Sequence, residues 1–211
     1  MTPFTYYHAG ALFNLRELIG NDALCAEIDL LSGGKYQGSL PQHITASKTG
    51  KDLRDASFLM LLQCDLALFN FDGPDLDSGT VAEFMFAKSM DIPAVILRTD
   101  LRKEADNDAF PWNLMLGGYP RTVIVSVNAM DLLQRRRKAL PVSAAAAASD
   151  IASCVIEAFD QVRAMPPVMP LDARLGCLQW VLKSNGLEKS FAAAGLTLGG
   201  ILARKIEQNM L

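Results

Sequence analysis

Histidine and cysteine are scarce in this sequence, and neither forms a cluster. Only His8 and His43 occur, and the four cysteines lie far apart, at positions 25, 64, 154 and 177. A structural zinc site needs Cys or His ligands at close spacing, so we expect no metal site. The cysteines stand mostly among apolar residues, which predicts reduced core residues and not a disulfide framework.

Long apolar runs and an excess of positive charge are also missing. The formal net charge is −3, which gives no support for nucleic-acid binding. No apolar run approaches the roughly 20 residues that a bilayer-spanning helix needs. The stretch MTPFTYYHAG has neither the basic nor the apolar region of a secretory signal. We therefore expect a cytoplasmic protein without nucleic-acid or membrane partners.

The apolar residues that are present alternate between strand and helix patterns. Half of the 211 residues are hydrophobic, enough for a sizeable core. Regular alternation of strands and helices predicts an α/β fold with a parallel sheet and helices on both faces. Strands are predicted at 4–10, 36–44, 65–71, 92–99 and 122–127, and helices at 14–32, 50–64, 80–90 and 130–140.

The pattern changes after about residue 140. A five-alanine run and a helical segment follow, then the proline-rich stretch MPPVMP and two helices predicted to break near Asn185 and Gly186. We therefore expect an α/β domain at 1–140 and a helical C-terminal extension at 141–211. Its apolar residues are expected to pack on the domain or on another subunit, among them Leu175, Leu178, Trp180, Val181 and Leu182.

The stretch DGPDLDSGTVAEF leaves two interpretations of Glu83 open. Thr80 and Glu83 have the spacing of a capping box, in which the glutamate serves only the start of a helix. However, Glu83 is the only charged residue between Asp77 and Lys88, and a carboxylate among apolar groups is costly unless it has a partner. The segment also follows a strand, where ligands bind in parallel sheets. A catalytic carboxylate is the second interpretation.

Five segments in order resemble the nucleoside 2-deoxyribosyltransferase family. They are YHAGALF, SLPQ, CDLALFNFDGPDLDSGTVAEF, RTD and PWNLM, within residues 4–127. The D-G-x-x-x-D-S-G-T-x-x-E element is the most specific of them. The resemblance implies a Rossmann-like fold with flavodoxin-like strand order, a covalent glycosyl-enzyme, and a homo-oligomer whose subunits complete each other's sites.

The resemblance also implies roles for individual residues. Glu83 matches the nucleophile, Tyr7 the tyrosine beside it, and Asp65 an aspartate at the departing base. Asp77 matches a carboxylate at the sugar 5′ end, and Asn113 an asparagine lent by a neighbouring subunit. The remaining predicted substrate-binding residues lie on the same loops: Gly10, Asp72, Ser78 and Gly79.

Local structural roles remain as alternatives for several of these residues. Tyr7 could be an ordinary strand residue, and adjacent Tyr6 makes the match ambiguous. Asp65 could end a strand, Asn113 could cap a short helix, and Arg16 could be a solvated helix residue or could touch a base or a phosphate.

The implied reaction is base exchange on a 2′-deoxynucleoside, with a free nucleobase as second substrate and no metal or redox cofactor. The nearest alternative is an N-glycosidase that cleaves nucleoside 5′-monophosphates. A third is a nucleotide-binding regulatory domain without catalysis.

Overall fold

The computed structural model describes residues 2–45, 49–101, 112–137 and 144–211. The predicted boundary between residues 140 and 141 lies outside these ranges. The strands are β1 Phe4–Gly10, β2 Tyr36–Ser39, β3 Leu66–Asn70, β4 Ala94–Arg98 and β5 Thr122–Ser126. The helices are α1 Leu15–Leu31, α2 Gly50–Gln63, α3 Ser78–Ser89, α4 Ala129–Arg137, α5 Ala144–Ala164, α6 Arg174–Ser184, α7 Glu188–Ala193 and α8 Leu198–Glu207.

The five strands form one parallel sheet in the order β2-β1-β3-β4-β5. This confirms the predicted α/β fold and its flavodoxin-like order. The order reverses between β1 and β3, whose last residues, Gly10 and Asn70, are paired in register. Because all strands are parallel, their carboxyl ends meet at one edge, where ligands bind in such folds.

Helices cover both faces of the sheet, as the sequence predicts. One face carries α2 and α3, whose buried residues share a core with Tyr7 and with apolar residues of α6 and α8. The other face carries α1 and α5, packed around Tyr6, Leu68 and Val95. Successive side chains of a strand point to opposite faces. Adjacent Tyr6 and Tyr7 are therefore buried in different cores.

The last part of the chain holds three helices, where the sequence predicted two. The predicted break at Asn185 and Gly186 is present, but a second break at Gly195 separates α7 from α8. Gly195 has a φ of +66°, a conformation that glycine adopts without the steric cost of a Cβ. Of the apolar residues expected to pack on the domain or on another subunit, Leu178, Val181 and Leu182 are buried in the core. Leu175 and Trp180 are exposed on this chain, and their contact with another subunit stays a prediction.

The cysteines only partly follow the sequence-based expectation. All four are free thiols, and Cys64 is buried in the core. Cys154 is exposed instead, because it lies on the outer side of α5. Within the described ranges, no helix is long and apolar enough to cross a membrane.

Candidate active site

Tyr7 and Glu83 form the most distinctive polar contact on the α2–α3 face of the sheet. Tyr7 lies in the middle of β1 and is completely buried. Its phenol hydroxyl donates a hydrogen bond of 2.5 Å to Oε1 of Glu83 on α3. Residues 76 positions apart in sequence are thereby joined. The contact also resolves the ambiguity between the two tyrosines, because Tyr6 points into the opposite core.

Glu83 does not take part in capping its helix. The N-cap of α3 is Asp77, whose Oδ2 accepts hydrogen bonds from the backbone N–H of Thr80 at 2.7 Å and from its hydroxyl at 2.7 Å. The helix therefore begins at Ser78, earlier than predicted, and Glu83 lies well inside it. From that position its side chain cannot serve as the capping-box partner. The capping interpretation of Glu83 is wrong for this reason.

Burial sets the protonation of the pair. Desolvation raises the pKa of Glu83 from its ordinary 4.5 to about 7, the hydrogen bond from Tyr7 opposes this shift, and the negative charge of Asp77 adds to it. Burial and the nearby carboxylate also raise the pKa of Tyr7 well above its ordinary value. Near neutral pH, the site thus holds a neutral phenol as donor and a carboxylate balanced between its two protonation states.

The loop after β3 is tied to the loop after β4 by Asp72. Its Oδ1 accepts the backbone N–H groups of Thr99 at 2.5 Å and Asp100 at 3.1 Å, and its Oδ2 accepts the Thr99 hydroxyl at 2.7 Å. Both oxygens are therefore engaged within the protein. Asp72 shapes the loop that leads to Asp77, and a direct contact with a ligand would compete with these bonds.

The other predicted substrate-binding residues lie at the carboxyl edge or near it. Gly10 ends β1, where an added Cβ would lie 3.2 Å from Cβ of Asn70, so a side chain there would crowd the neighbouring strand. Ser78 and Gly79 are the first residues of α3 and not part of a free loop. Their backbone N–H groups lie at the positive end of the helix dipole.

Asn113 has a local role in the structure of its own chain. Its Oδ1 accepts the backbone N–H groups of Met115 at 2.9 Å and Leu116 at 3.1 Å, which holds the short turn after it. The neighbouring side chains of Leu114 and Met115 are exposed.

Asp65 lies away from the carboxyl edge of the sheet, where ligands bind in such folds, so the structure does not support its contact with the departing base. It precedes β3, at the amino edge of the sheet, and is completely buried. Its Oδ2 accepts the backbone N–H of Thr5 at 2.8 Å and Nη2 of Arg204 at 2.8 Å, and Oδ1 accepts Nε of Arg204 at 3.2 Å. Both carboxylate oxygens of Asp65 are thereby engaged within the protein. These contacts favour the alternative that the sequence left open, a structural role at a strand end.

The sequence analysis did not identify two residues that contact the predicted site residues, Ser57 beside Tyr7 and Arg204 beside Asp65. The Ser57 hydroxyl on α2 lies near the phenol of Tyr7 and acts on its pKa, and the available signal was a small polar residue on the apolar face of a predicted helix. Arg204 could not have been found by pattern, because its partner Asp65 lies 139 positions away. No group of three or more His, Cys, Asp or Glu side chains that could hold a metal ion occurs in the described part of the chain.

Comparison with known proteins assigns the chain to a family. Residues 10–115, half of the chain, match the family model described as Nucleoside 2-deoxyribosyltransferase. The chain belongs to the nucleoside 2-deoxyribosyltransferase family. The matched segment contains the whole Asp72–Glu83 stretch, and α5–α8 lie beyond it. A search of curated proteins gives no match.

Three solved structures resemble the chain over a little more than half of its length. A conserved protein from Enterococcus faecalis V583 is 24% identical, with a TM-score of 0.49, and the match covers 66% of this chain and 100% of that one. A 2-desoxiribosyltransferase from Leishmania mexicana is 22% identical, with a TM-score of 0.45 and coverages of 57% and 90%. The CMP N-glycosidase BcmB from Clostridium botulinum is 14% identical, with a TM-score of 0.41 and coverages of 64% and 99%.

Proposed function

We propose that this protein transfers 2-deoxyribose between nucleobases, as in nucleoside salvage, through a covalent ester on Glu83. The hydrogen bond between Tyr7 and Glu83 carries the proposal, in a chain of the nucleoside 2-deoxyribosyltransferase family. The phenol of Tyr7 orients the buried Glu83 carboxylate by donating a hydrogen bond to its Oε1. Among the described residues, none donates to Oε2, which leaves this oxygen for attack on a sugar carbon.

The reaction runs in two displacements. Ionised Glu83 attacks C1′ of a 2′-deoxynucleoside, the bond between C1′ and the base nitrogen breaks, and the base leaves with the electron pair and takes up a proton. The transition state resembles an oxocarbenium ion, whose positive charge the nearby carboxylates of Glu83 and Asp77 stabilise. A second base then attacks C1′ and releases Glu83, so the sugar keeps its configuration and only the base changes.

The surrounding residues hold the substrate in this scheme. Asp77, at the start of α3, accepts a hydroxyl at the sugar 5′ end, and the adjacent Ser78 and Gly79 shape that end of the pocket. Gly10 keeps the neighbouring strand end free of a side chain. Asp72 acts indirectly, since its oxygens hold the loop that positions Asp77.

The decisive experiment is incubation of the protein with a 2′-deoxynucleoside, with and without a second free base, followed by chromatography of the products. A new deoxynucleoside that appears only with the second base supports transfer. Release of base without exchange, and with preference for 5′-monophosphates, would instead support the N-glycosidase. Ligand-induced thermal stabilisation without any turnover would support a binding domain.

The acid limb of the pH profile, which is the fall of kcat/KM on acidification, should shift when Tyr7 is substituted and should stay in place when Tyr6 is substituted. The hydrogen bond from Tyr7 lowers the pKa of Glu83 from what burial alone would set. Tyr7→Phe should therefore raise this pKa above about 7, so the fall of kcat/KM on acidification begins at higher pH. The measurement is kcat/KM for base exchange between about pH 5 and 9.

Tyr6→Phe is the matched control, because Tyr6 is an adjacent, equally buried tyrosine that faces the other core and not Glu83. It should leave the acid limb in place. An unshifted limb in Tyr7→Phe would mean that Glu83 is not the group whose ionisation limits the reaction.

Free nucleosides should be better substrates than their 5′-monophosphates, since the carboxylate of Asp77 would repel a phosphate dianion. Asp77→Asn should reduce this preference in kcat/KM by about tenfold or more. Asparagine caps helices as well as aspartate, so α3 should remain formed. Exposed Asp75 on the same loop offers the control Asp75→Asn, which should change the preference little. A wild-type protein that prefers monophosphates would contradict the assignment of Asp77.

A second copy of the chain is the proposed partner at Asn113. The exposed side chains of Leu114 and Met115 beside it form an apolar surface suited to contact with another subunit. In that assembly, Asn113 reaches the sugar bound by the neighbouring subunit. Light scattering that finds a fully active monomer would contradict this assembly.

A further inference from the structure

A cavity of about 1030 Å³ lies between α2 and the helices α7 and α8. Its wall includes Thr5, near the start of β1, and Cys64, which comes shortly before β3. Both residues lie at the amino edge of the parallel sheet, whereas ligands of such folds bind at the carboxyl edge. Neither Tyr7 nor Glu83 lines the cavity. It is therefore separate from the candidate active site, and its volume is at the upper end of small-molecule sites.

The charged side chains that line the cavity are balanced within the protein. They are Asp52, Asp55 and Arg204. Arg204 forms an ion pair of 2.8 Å with buried Asp65, and buried Asp55 pairs with Lys51 and Arg54 of its own helix. Asp52 is exposed in the first turn of α2, where the positive end of the helix dipole offsets its charge. A charged ligand would be buried here without a counter-ion, which is costly, so the cavity favours an uncharged one.

Two polar groups of the wall remain for a ligand. Arg204 donates to Asp65 through Nε at 3.2 Å and Nη2 at 2.8 Å, and its Nη1 makes no hydrogen bond to the residues that the structure describes. Gln63 of α2 donates from its amide nitrogen to the Leu59 carbonyl at 2.9 Å, so its Oε1 can accept a hydrogen bond. A carbonyl oxygen fits the first group and an N–H fits the second. A carboxamide carries both without a charge.

Much of the remaining wall is apolar and comes from two separate parts of the chain. Ala56, Leu59 and Met60 belong to α2, whereas Leu196 and Ile201 belong to the region of α7 and α8. An apolar wall with a few polar groups is typical of small-molecule sites. A molecule in this cavity contacts α2 and the C-terminal helices together. Its binding therefore stabilises the packing of these helices on α2.

We infer that the cavity between α2 and α7–α8 is a second small-molecule site, which binds an uncharged carboxamide with an apolar body. The carbonyl oxygen of the ligand lies at Nη1 of Arg204 and its N–H at Oε1 of Gln63, while the apolar body contacts Leu59 and Ile201. The bound molecule holds the C-terminal helices on α2. The site does not depend on Glu83 and takes no part in base exchange.

Calorimetric titration of the full chain tests the inference without turnover, so its result does not depend on base exchange. The probes share one apolar body and differ in charge: 4-phenylbutanamide, 4-phenylbutanoate and 4-phenylbutylamine. The amide should bind with one molecule per chain, about tenfold or more tightly than either charged probe, and should raise Tm. Equal or tighter binding of a charged probe, or no binding of the amide to the folded protein, would overturn the site.

Filling the cavity locates the bound amide. Ala193→Trp, at an exposed position of α7 that lines the cavity, should abolish binding. Ala192→Trp, at the adjacent exposed position outside the wall, is the matched control and should keep the affinity of the wild type. If the tryptophan at 193 prevents folding, Ala193→Leu serves the same purpose. Unchanged affinity in a folded Ala193 variant would mean that the amide binds elsewhere and would overturn the site.

The two polar contacts are tested one at a time. Arg204→Lys keeps a positive charge for the ion pair but loses Nη1, and should weaken amide binding by about tenfold or more. Gln63→Met keeps the length of the side chain without its acceptor, and should weaken binding by about fivefold. Gln134→Met, at an exposed position of α4, is the control for it and should change nothing. Unchanged affinity in folded Gln63→Met would overturn the carboxamide assignment, whether or not the Arg204 variant folds.

Discussion

Glu83→Ala should lower the rate of base exchange by roughly a thousandfold or more, the scale of losing a catalytic nucleophile. The ester to C1′ cannot form without this carboxylate, and no other carboxylate of the described residues is hydrogen-bonded to Tyr7. Chromatographic measurement of the exchanged deoxynucleoside checks the result. Glu157→Ala, at an exposed position of α5, is the control and should keep full activity.

Glu83→Gln separates catalysis from folding. Glutamine can still accept the hydrogen bond from Tyr7, but it cannot act as a nucleophile. Because the pKa of Glu83 is raised to about 7 in the folded protein, the folded state holds this proton more tightly than the unfolded chain. Wild-type stability should fall as pH rises from about 4.5 to about 7, and this loss should be complete above that window.

The neutral glutamine avoids that loss. Relative to wild type, Glu83→Gln should be equally stable near pH 4 and more stable by roughly 1–3 kcal/mol near pH 8, as measured by urea unfolding. Near-normal base exchange in the folded glutamine variant would refute the covalent mechanism. Equal stability of both proteins at all pH values would show that folding does not raise the pKa of Glu83.

Asp65→Ala should be the most destabilising of the predicted substitutions, lowering the free energy of unfolding by about 3 kcal/mol. It removes the completely buried acceptor of the Thr5 N–H and of Arg204, and so leaves the strand end and the α8 guanidinium without their partner. For a chain of this size, the melting temperature should fall by roughly 5–10 °C. Asp65→Asn should cost less, since it keeps an oxygen acceptor for Thr5.

The activity of these variants distinguishes the structural from the catalytic role of Asp65. Base exchange per folded molecule should remain close to wild type at a temperature well below the melting transition. The Glu157→Ala control should change stability by no more than about 0.5 kcal/mol. A fully stable Asp65→Asn protein that has lost exchange would restore the contact with the departing base.

Most of the fold could be predicted from local patterns. The alternation of short apolar runs with helical spacing is a property of neighbouring residues, so it indicates the five strands and the helices between them. The first and last residues of a helix are harder to predict than the helix itself, because several neighbouring residues can each serve as its N-cap. Asp77 and Thr80 are both good N-cap residues, and the choice of Asp77 moved the start of α3 and took Glu83 out of the capping box.

The C-terminal region shows a similar limit. Helical spacing continues through Gly195, and glycine is tolerated in a helix at a cost of only about 1 kcal/mol. The break is made by two local caps that compete with that spacing: Gly195, with its positive φ, ends α7, where the Leu196 N–H donates to the Phe191 carbonyl, and the Thr197 hydroxyl begins α8 by accepting the Gly200 N–H.

By itself, the sequence determined that this chain has a parallel α/β sheet and the Asp72–Glu83 motif of its family, because both are written in residues close together along the chain. Only the tertiary structure decided which tyrosine faces Glu83, since strand alternation separates Tyr6 from Tyr7 but does not say which helices cover which face. It also decided the partner of Asp65. An ion pair between positions 65 and 204 depends on where the last helix docks, and that docking is set by the packing of distant apolar surfaces.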